Sequence, residues 1–261
     1  MLALRNQQVA AEAAEARRRA DATELRTALL SAVGHDLRTP LASIKTAAGS
    51  LRDPDLALSD DDRRELAATI EESTDRLTGV VDNLLDSSRL ATGAVVPEVQ
   101  PVGYDEVAML AIRGLDGAER VQIEVDDELP EVLADPGLLD RVIANAVDNA
   151  LRHAPGAPVT LRGSAHAAQV QLRIVDTGPG VPRGQADRLF VPFQRLGDRK
   201  PGGLGLGLSV ARGFMEAMGG TLTAEDTPGG GLTVVLSLPA AVTPPAQAQP
   251  VTAHPDAEVR P

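Results

Sequence analysis

Apolar residues recur every three or four positions through the first third of the chain, which is the spacing of packed α-helices. From Ala3 to about Arg52 the sequence is rich in Ala, Glu and Arg and has few helix breakers, so one long helix is predicted. Its C-terminal half carries an apolar seam of the kind found in coiled coils and helix bundles. The seam consists of Val33, Leu37, Leu41, Ile44, Ala48 and Leu51.

A second helix is predicted after a short break at Arg52-Asp53-Pro54-Asp55. Ser59 followed by Asp62 is typical of a helix start, and Gly93 of a helix end. Two helices with a short connection form an antiparallel hairpin, and two hairpins complete a four-helix bundle. The second seam consists of Leu66, Ile70, Thr74, Leu77, Val81, Leu84 and Ser88.

After Pro97 short β-type runs alternate with helical ones, which predicts an α/β domain with a largely antiparallel or mixed sheet. The predicted strands are Val121–Val125, Val159–Arg162, Val170–Val175, Thr221–Ala224 and Leu232–Leu238. The predicted helices are Tyr104–Gly114, Pro136–His153 and Leu208–Met218. The Pro- and Ala-rich end of the chain predicts a disordered tail over 241–261.

Charge and composition exclude several classes of function. The 25 Lys and Arg against 37 Asp and Glu give a net charge of −12, and only four aromatic residues are present, so no nucleic-acid partner is expected. The absence of Cys excludes disulfides, thiolate nucleophiles and Cys-ligated zinc. Neither a membrane-spanning run nor a signal peptide is found, so we expect the chain as given to be cytoplasmic.

The first candidate for chemistry is the string His35-Asp36-Leu37-Arg38-Thr39-Pro40 in the long helix. At about 100° per residue, His35 points away from the apolar seam toward solvent. A neutral imidazole is a nucleophile near neutral pH, and the adjacent Asp36 can hold its other ring nitrogen or accept a proton. A lone histidine on a helix surface has no function in most proteins, but the complete string favours a reactive one.

The second candidate is a polar face on the helix Pro136–His153. Asn145, Asn149 and Arg152 lie at positions i, i+4 and i+7, and therefore on one side of that helix. Amide oxygens can bind Mg²⁺, and an arginine can reach phosphate oxygens. A solvated polar stripe explains the same spacing, and this motif alone does not separate the two interpretations.

Two glycine-containing segments extend the pattern. Asp176-Thr-Gly178-Pro-Gly180 follows a predicted strand, where a carboxylate can accept a hydrogen bond from an exocyclic amine such as that of adenine. A second run contains Gly203, Gly205 and Gly207, and it opens a helix whose free N–H groups suit phosphate. Each segment alone is equally typical of a turn or of a flexible loop.

Between these segments lie a hydrophobic pair, Phe190 and Phe193, and a basic stretch that contains Lys200. An apolar anchor followed by a basic segment is typical of a lid over a nucleotide.

Taken in order, the motifs resemble those of the sensor histidine kinases over roughly residues 25 to 240. The resemblance covers the phosphoacceptor box (His35 to Pro40), the N box (Asn145 to Asn149), the G1 box (Asp176 to Gly180), the F box (Phe190 and Phe193) and the G2 box (Gly203 to Gly207). It implies an α+β chain of two domains, in which a dimeric four-helix bundle carries the phosphoacceptor and a GHKL (Bergerat) α/β sandwich binds ATP.

The resemblance also implies roles for single residues in the ATP-binding domain. Asn149 corresponds to the Mg²⁺ ligand, Asn145 and Arg152 to phosphate-side contacts, and Asp176 to the residue that recognises adenine. His153 corresponds to a position beside the nucleotide.

In the phosphoacceptor box, the resemblance implies that His35 takes the γ-phosphoryl group of ATP and passes it to an aspartate of a response regulator. Asp36 corresponds to a residue that assists this transfer, and Thr39 to one associated with dephosphorylating the partner. The resemblance therefore implies ATP and Mg²⁺ as cofactors, and a receiver domain and a second copy of the chain as partners.

The expected organisation is a helical lead-in over 1–24, a dimerisation and phosphotransfer domain over 25–95, an ATP-binding domain over 96–240 and a tail over 241–261. Three stretches, Phe193–Arg199, Val210–Gly220 and Ala224–Gly230, resemble potassium-responsive members of the family and imply potassium or osmotic signalling. Such members carry sensor and membrane regions that would precede Met1, so we expect a membrane connection only through an upstream region.

Two alternative functions are consistent with parts of the sequence. The first is a GHKL-type ATPase, but those proteins carry a Glu as the base for water where Asn145 stands here. The second is a non-catalytic scaffold, which the intact nucleotide motifs do not favour.

Overall fold

A computed structural model describes residue 34 and residues 37–126, 128–182, 184–194 and 205–241. Helix α1 covers 37–52 and helix α2 covers Asp60–Ala91, which confirms the two predicted helices over the described residues. The predicted lead-in over 1–24, the beginning of the long helix and the tail from residue 242 onward lie outside the described residues.

Helix α2 begins at the predicted cap. The Ser59 hydroxyl accepts a hydrogen bond from the Asp62 N–H at 3.1 Å, and the Asp62 carboxylate accepts one from the Ser59 N–H at 2.8 Å. This reciprocal pair is a capping box, which satisfies two N–H groups that the helix itself leaves unpaired. The hydrogen bonds from Ser59 lower the pKa of the Asp62 carboxyl. The helix ends before Gly93, whose φ of +67° suits a residue without a Cβ.

The second half of the described chain forms a five-stranded sheet with three helices. In chain order the elements are β1 (Gln100–Val102), α3 (Tyr104–Ala111), β2 (Val121–Glu124), β3 (Val132–Ala134), α4 (Pro136–His153), β4 (Val159–His166), β5 (Gln169–Val175), α5 (Gly207–Ala217), β6 (Thr221–Asp226) and β7 (Leu232–Pro239). The strand order is β2-β4-β5-β7-β6. The β2–β4 pair is parallel and the other pairs are antiparallel, which confirms a mixed sheet.

Strands β1 and β3 form a separate antiparallel pair that the sequence did not predict. Each is three residues long, which is too short for an alternating pattern to stand out. β3 runs directly into Asp135, whose carboxylate accepts hydrogen bonds from the N–H groups of Gly137 (3.0 Å) and Leu138 (3.1 Å). The short strand therefore fixes where α4 begins.

The helices bury apolar faces against the sheet and against one another. Five side chains on α4 are fully enclosed: Leu139, Val142, Ile143, Ala146 and Val147. The hydrophobic core also includes Val80 of α2, so the helical hairpin packs against the α/β domain. Val80 lies outside the predicted seam, whereas the seam residue Val81 is 46 % exposed. The difference arises because α2 faces the α/β domain as well as α1.

Candidate nucleotide-binding site

A small cavity at the C-terminal end of α4 brings together four of the predicted site residues. Asn149, His153, Asp176 and Gly180 line it. The remaining lining is apolar and comes from Val181, Leu189 and Leu232. An enclosed site with apolar walls and a few polar groups is typical of a pocket for a flat heterocycle.

The carboxylate of Asp176 is held at the floor of this cavity. The residue is 3 % exposed, and its Oδ1 accepts hydrogen bonds from the N–H groups of Gly178 (2.8 Å) and Leu232 (3.1 Å). Both hydrogen bonds found for this carboxylate in the described part of the chain go to Oδ1. Oδ2 can therefore accept a hydrogen bond from an amine of a ligand, which fits the exocyclic amine of adenine.

Glycines around Asp176 let the backbone segments approach closely. A Cβ at Gly178 would lie 2.6 Å from the His153 carbonyl oxygen, and one at Gly231 would collide with the carbonyl of Asp176. Gly231 also has a φ of +112°, which L side chains rarely adopt. Gly231 was not among the predicted site residues. The signal that could have found it is the run of three glycines immediately before β7.

The predicted phosphate side is built from α4 and the start of α5. A Cβ on Gly207 would lie 3.0 Å from the Asn145 amide oxygen, so these two predicted residues are neighbours. No side chain among the described residues caps the N-terminus of α5. The first N–H groups of a helix can bind an anion.

The F-box phenylalanines lie next to the glycine segment. The Phe193 N–H donates to the Gly205 carbonyl at 3.1 Å, and the two residues have φ angles of +65° and +67°. Phe190 is 6 % exposed, and the Arg212 guanidinium lies 5.3 Å from its ring centroid. Phe190 thus anchors the segment to α5. The predicted residues Lys200 and Gly203 lie outside the described residues.

Arg152 does not line the cavity but pairs with Asp148 one turn back on α4. Its Nε lies 2.9 Å from Asp148 Oδ1 and its terminal nitrogen 2.7 Å from Oδ2. Burial raises the pKa of the Asp148 carboxyl, and Arg152 partly offsets that rise. The predicted phosphate contact of Arg152 therefore requires this ion pair to open or to be shared with the phosphate.

Asn149 offers an oxygen ligand of the kind that Mg²⁺ accepts. The described part of the chain contains no group of three or more His, Cys, Asp and Glu residues that could hold a metal ion. Mg²⁺ is commonly bound by one or two protein oxygens together with water and phosphate oxygens. The amide oxygen of Asn149 at the cavity wall can supply such a ligand.

One residue missed by the sequence analysis holds the end of α4. The Arg120 guanidinium donates to the carbonyls of Ala154 (3.0 Å), Ala157 (3.1 Å) and Leu151 (3.3 Å). These carbonyls flank His153, and a cation is favourable at a helix C-terminus. Arg120 is distant in sequence from α4 and belongs to no motif, so no sequence signal pointed to it.

The phosphoacceptor box is only partly described. His35 and Asp36 lie outside the described residues, while Thr39 lies on the exposed side of α1. Arg38, Thr39, Ala42, Ser43 and Thr46 of α1 line a shallow surface cavity together with Thr69 of α2.

Two family models match the chain, in the order that the motifs predicted. Residues 25–93 match the His Kinase A (phospho-acceptor) domain. Residues 134–242 match the histidine kinase-, DNA gyrase B- and HSP90-like ATPase domain.

Among curated proteins, the chain is similar to the sensor protein KdpD of several bacteria. It is 50 % identical to KdpD of Mycobacterium tuberculosis strain H37Rv over 247 residues, covering 91 % of this chain and 28 % of that protein. It is 32 % identical to KdpD of Escherichia coli strain K12 over 236 residues, covering 88 % of this chain and 26 % of that protein. The chain thus spans little more than a quarter of these relatives.

Solved histidine kinases share the fold. Full-length ShkA in complex with AMPPNP matches with a TM-score of 0.57 and 27 % identity, over 82 % of this chain and 45 % of that one. ThkA in complex with the response regulator protein TrrA matches with a TM-score of 0.61 and 20 % identity, over 86 % and 65 %.

Within the part of the chain that the structure describes, none of the helices is long and apolar enough to cross a membrane. The helical hairpin, the α/β sandwich, the order of the two domain matches and the KdpD relatives agree with one another. The chain belongs to the sensor histidine kinases and is similar to the KdpD sensor proteins over part of their length.

Proposed function

We propose that the chain is the catalytic part of a sensor kinase, which phosphorylates its own His35 from ATP and passes the phosphoryl group to a response regulator. The observation that carries this proposal is the cavity that joins Asn149, His153, Asp176 and Gly180. Its donor set suits an adenine nucleotide, and its residues come from two motifs that are distant in sequence, the polar face of α4 and the segment Asp176 to Gly180.

In this proposal, the α/β domain contributes binding and orientation. Asp176 accepts a hydrogen bond from the adenine amine, while its own position is fixed by the N–H groups of Gly178 and Leu232. Asn145 and the first N–H groups of α5 lie toward the phosphates. Asn149 would hold Mg²⁺, which when bound neutralises charge on the phosphate oxygens.

His35 supplies the nucleophile. One imidazole nitrogen forms a bond to the γ-phosphorus as the bond between that phosphorus and the β–γ bridging oxygen of ATP breaks, and ADP leaves. Asp36 takes the proton that the imidazole loses or orients the ring through the other nitrogen. Positioning supplies most of the rate enhancement for such a transfer, so the relative placement of the two domains is decisive.

The acceptor after His35 is proposed to be an aspartate of a receiver domain. ThkA, which shares this fold, has been solved in complex with the response regulator protein TrrA. The exposed side of α1 around Thr39 is the surface that we propose for the receiver here. We extend the proposal to a homodimer, because the hairpin resembles half of a four-helix bundle.

Thr39 is proposed to assist removal of the phosphoryl group from the regulator, which would make the chain a phosphatase as well as a kinase. A role in potassium or osmotic signalling is supported by the 50 % identity to KdpD of Mycobacterium tuberculosis.

A pulse-chase experiment tests the transfer. The chain is labelled with γ-labelled ATP and Mg²⁺, freed of nucleotide and mixed with a candidate receiver domain. Label should move from the chain to the receiver, and Asp→Asn at the receiver's phosphorylation site should block the movement. Steady ATP hydrolysis that continues unchanged in His35→Gln would instead support the ATPase alternative.

The phosphatase proposal has a separate test. A phosphorylated receiver is mixed with wild-type chain or with Thr39→Ala, and release of inorganic phosphate is followed. We expect Thr39→Ala to slow this release while leaving autophosphorylation intact. Equal rates of phosphate release would contradict the role of Thr39.

A further inference from the structure

A charged cluster links the C-terminal part of α2 to α4. Asp86 of α2 has a side chain that is only 5 % exposed, and it forms an ion pair with Arg141 of α4. The same arginine lies 3.1 Å from Asp82, one turn earlier on α2. Arg89 lies farther from Asp86, at 3.9 Å. One arginine of the α/β domain thus holds two carboxylates of the hairpin.

An apolar contact lies beside this cluster. A Cβ on Gly213 of α5 would lie 2.7 to 3.4 Å from the side-chain atoms of Leu90, so the leucine packs directly over the glycine. We call the five residues Asp82, Asp86, Leu90, Arg141 and Gly213 the interdomain clamp.

The clamp restricts the orientation of the two domains because one of its carboxylates, that of Asp86, is buried. A carboxylate removed from water is costly unless a cation and hydrogen bonds compensate it. The free-energy cost of burying the Asp86 carboxylate is therefore compensated only in arrangements that place Arg141 against it. A solvated ion pair would impose no such restriction.

In this arrangement, the α/β domain leaves part of the phosphoacceptor helix uncovered. Thr39, Ala42 and Thr46 lie 4, 7 and 11 residues after His35, so helical spacing puts them on the face that is predicted to carry His35. These three residues line the surface cavity described above, and every residue that lines it belongs to the hairpin. No described residue of the α/β domain contributes to that cavity.

We infer that the clamp holds the ATP-binding domain on α2 in the state that leaves the His35 face open to a receiver, and that the clamp must open before His35 is phosphorylated. Asp86 and Arg141 are then positioning residues that act through domain placement and do not touch the nucleotide. This inference rests on the proposed function of His35.

Charge removal tests the inference first. Asp86→Asn and Arg141→Gln should raise the initial rate of autophosphorylation by about three- to tenfold, since they shift the population toward the open arrangement. Affinity for an ATP analogue should stay unchanged, because neither residue lines the nucleotide cavity. Asp61→Asn is the matched control, since it removes the same charge from the exposed first turn of α2. Rates that stay unchanged or fall in both clamp variants would overturn the inference.

A reversible crosslink gives the complementary test. The chain has no cysteine, so Leu90→Cys with Gly213→Cys provides the only thiol pair. A side chain at position 213 would face the side chain of residue 90 directly, which is the first requirement for a disulfide between them. Oxidation should form an intrachain disulfide and lower autophosphorylation by about tenfold or more, and reduction should restore it. Failure of the disulfide to form within one chain, or full activity of the oxidised protein, would overturn the inference.

The two proposals fail in different ways. If the wild-type chain incorporates no label from ATP, the proposed function fails. If the wild type is labelled but the charge variants or the disulfide do not change the rate as expected, only the clamp fails.

Discussion

Arg120 illustrates how much of the candidate site depends on residues outside the motifs. Its guanidinium donates to three carbonyls at the C-terminal end of α4, next to His153. Gly117 makes this possible, because a Cβ there would lie 2.6 Å from an Arg120 terminal nitrogen. The motifs predicted residues that line the cavity, but a residue that orients them by bonding to backbone leaves no pattern in the sequence.

Replacing Arg120 by Met should therefore weaken binding of an ATP analogue. Hydrogen bonds from a charged donor contribute about 1.5–3 kcal/mol each at the upper end, so a loss of about tenfold in affinity is expected. Titration calorimetry with a non-hydrolysable analogue measures it. Arg162→Met, which removes only an exposed ion pair with Glu124, is the control. Equal affinities of both variants would contradict the role of Arg120.

Asp148 gives a prediction for pH dependence. Burial raises the pKa of this carboxyl above its ordinary value, so the folded chain binds a proton there more readily than the unfolded chain. The proton on Asp148 therefore stabilises the folded chain fully when the pH is below the ordinary pKa of about 4. This stabilisation is lost as the pH rises through the raised pKa. Urea unfolding of Asp148→Asn should thus show a smaller loss of stability than the wild type between those values. An identical pH dependence of both proteins would contradict this account.

At the scale of elements, the sequence predicted the helices and strands that are long and have a clear apolar period. Helices α2 and α4 and the five strands of the main sheet were predicted from their apolar spacing and caps, and the structure confirms them. Strands β1 and β3 were missed because three residues carry no period. Gly231 was missed because its importance comes from a contact with Asp176, which is distant in the sequence.

The turn before β7 provides a test at this scale. Gly231→Ala should lower the free energy of unfolding more than Gly229→Ala does. Both positions have a positive φ, so both variants carry backbone strain of about 1–2 kcal/mol. Only the alanine at position 231 also meets the backbone of Asp176, whereas position 229 has open space. Denaturant unfolding compares them, and equal losses would show that the contact at Asp176 is unimportant.

At the scale of the whole molecule, the sequence predicted the two domains but not how they meet. The ion pair between Asp86 and Arg141 joins two residues that lie on different helices and are 55 positions apart in the sequence. Within its own helix, each charge looks like an ordinary solvated side chain.

The exposed apolar residues of the hairpin fit a contact with a second copy of the hairpin. Leu41, Val81 and Leu85 are 54 %, 46 % and 52 % exposed, and a second hairpin would cover such residues in a four-helix bundle.

Placing charges in that surface should separate the subunits. The double variant Val81→Lys with Leu85→Lys is expected to sediment as a monomer at concentrations where the wild type is a dimer, because burying lysines in an apolar seam is costly. Met109→Lys is the control, since Met109 is equally exposed on α3 of the α/β domain. A double variant that stays dimeric would place the subunit contact elsewhere.

The central claim is that His35 receives the phosphoryl group of ATP bound in the cavity at Asn149 and Asp176. Its most direct measurement is to incubate the chain with γ-labelled ATP and Mg²⁺ and to map the labelled residue. We expect an acid-labile, alkali-stable phosphohistidine at His35, and no label in His35→Gln, which should still bind an ATP analogue normally. Label that persists in His35→Gln, or that maps to another residue, would contradict the account.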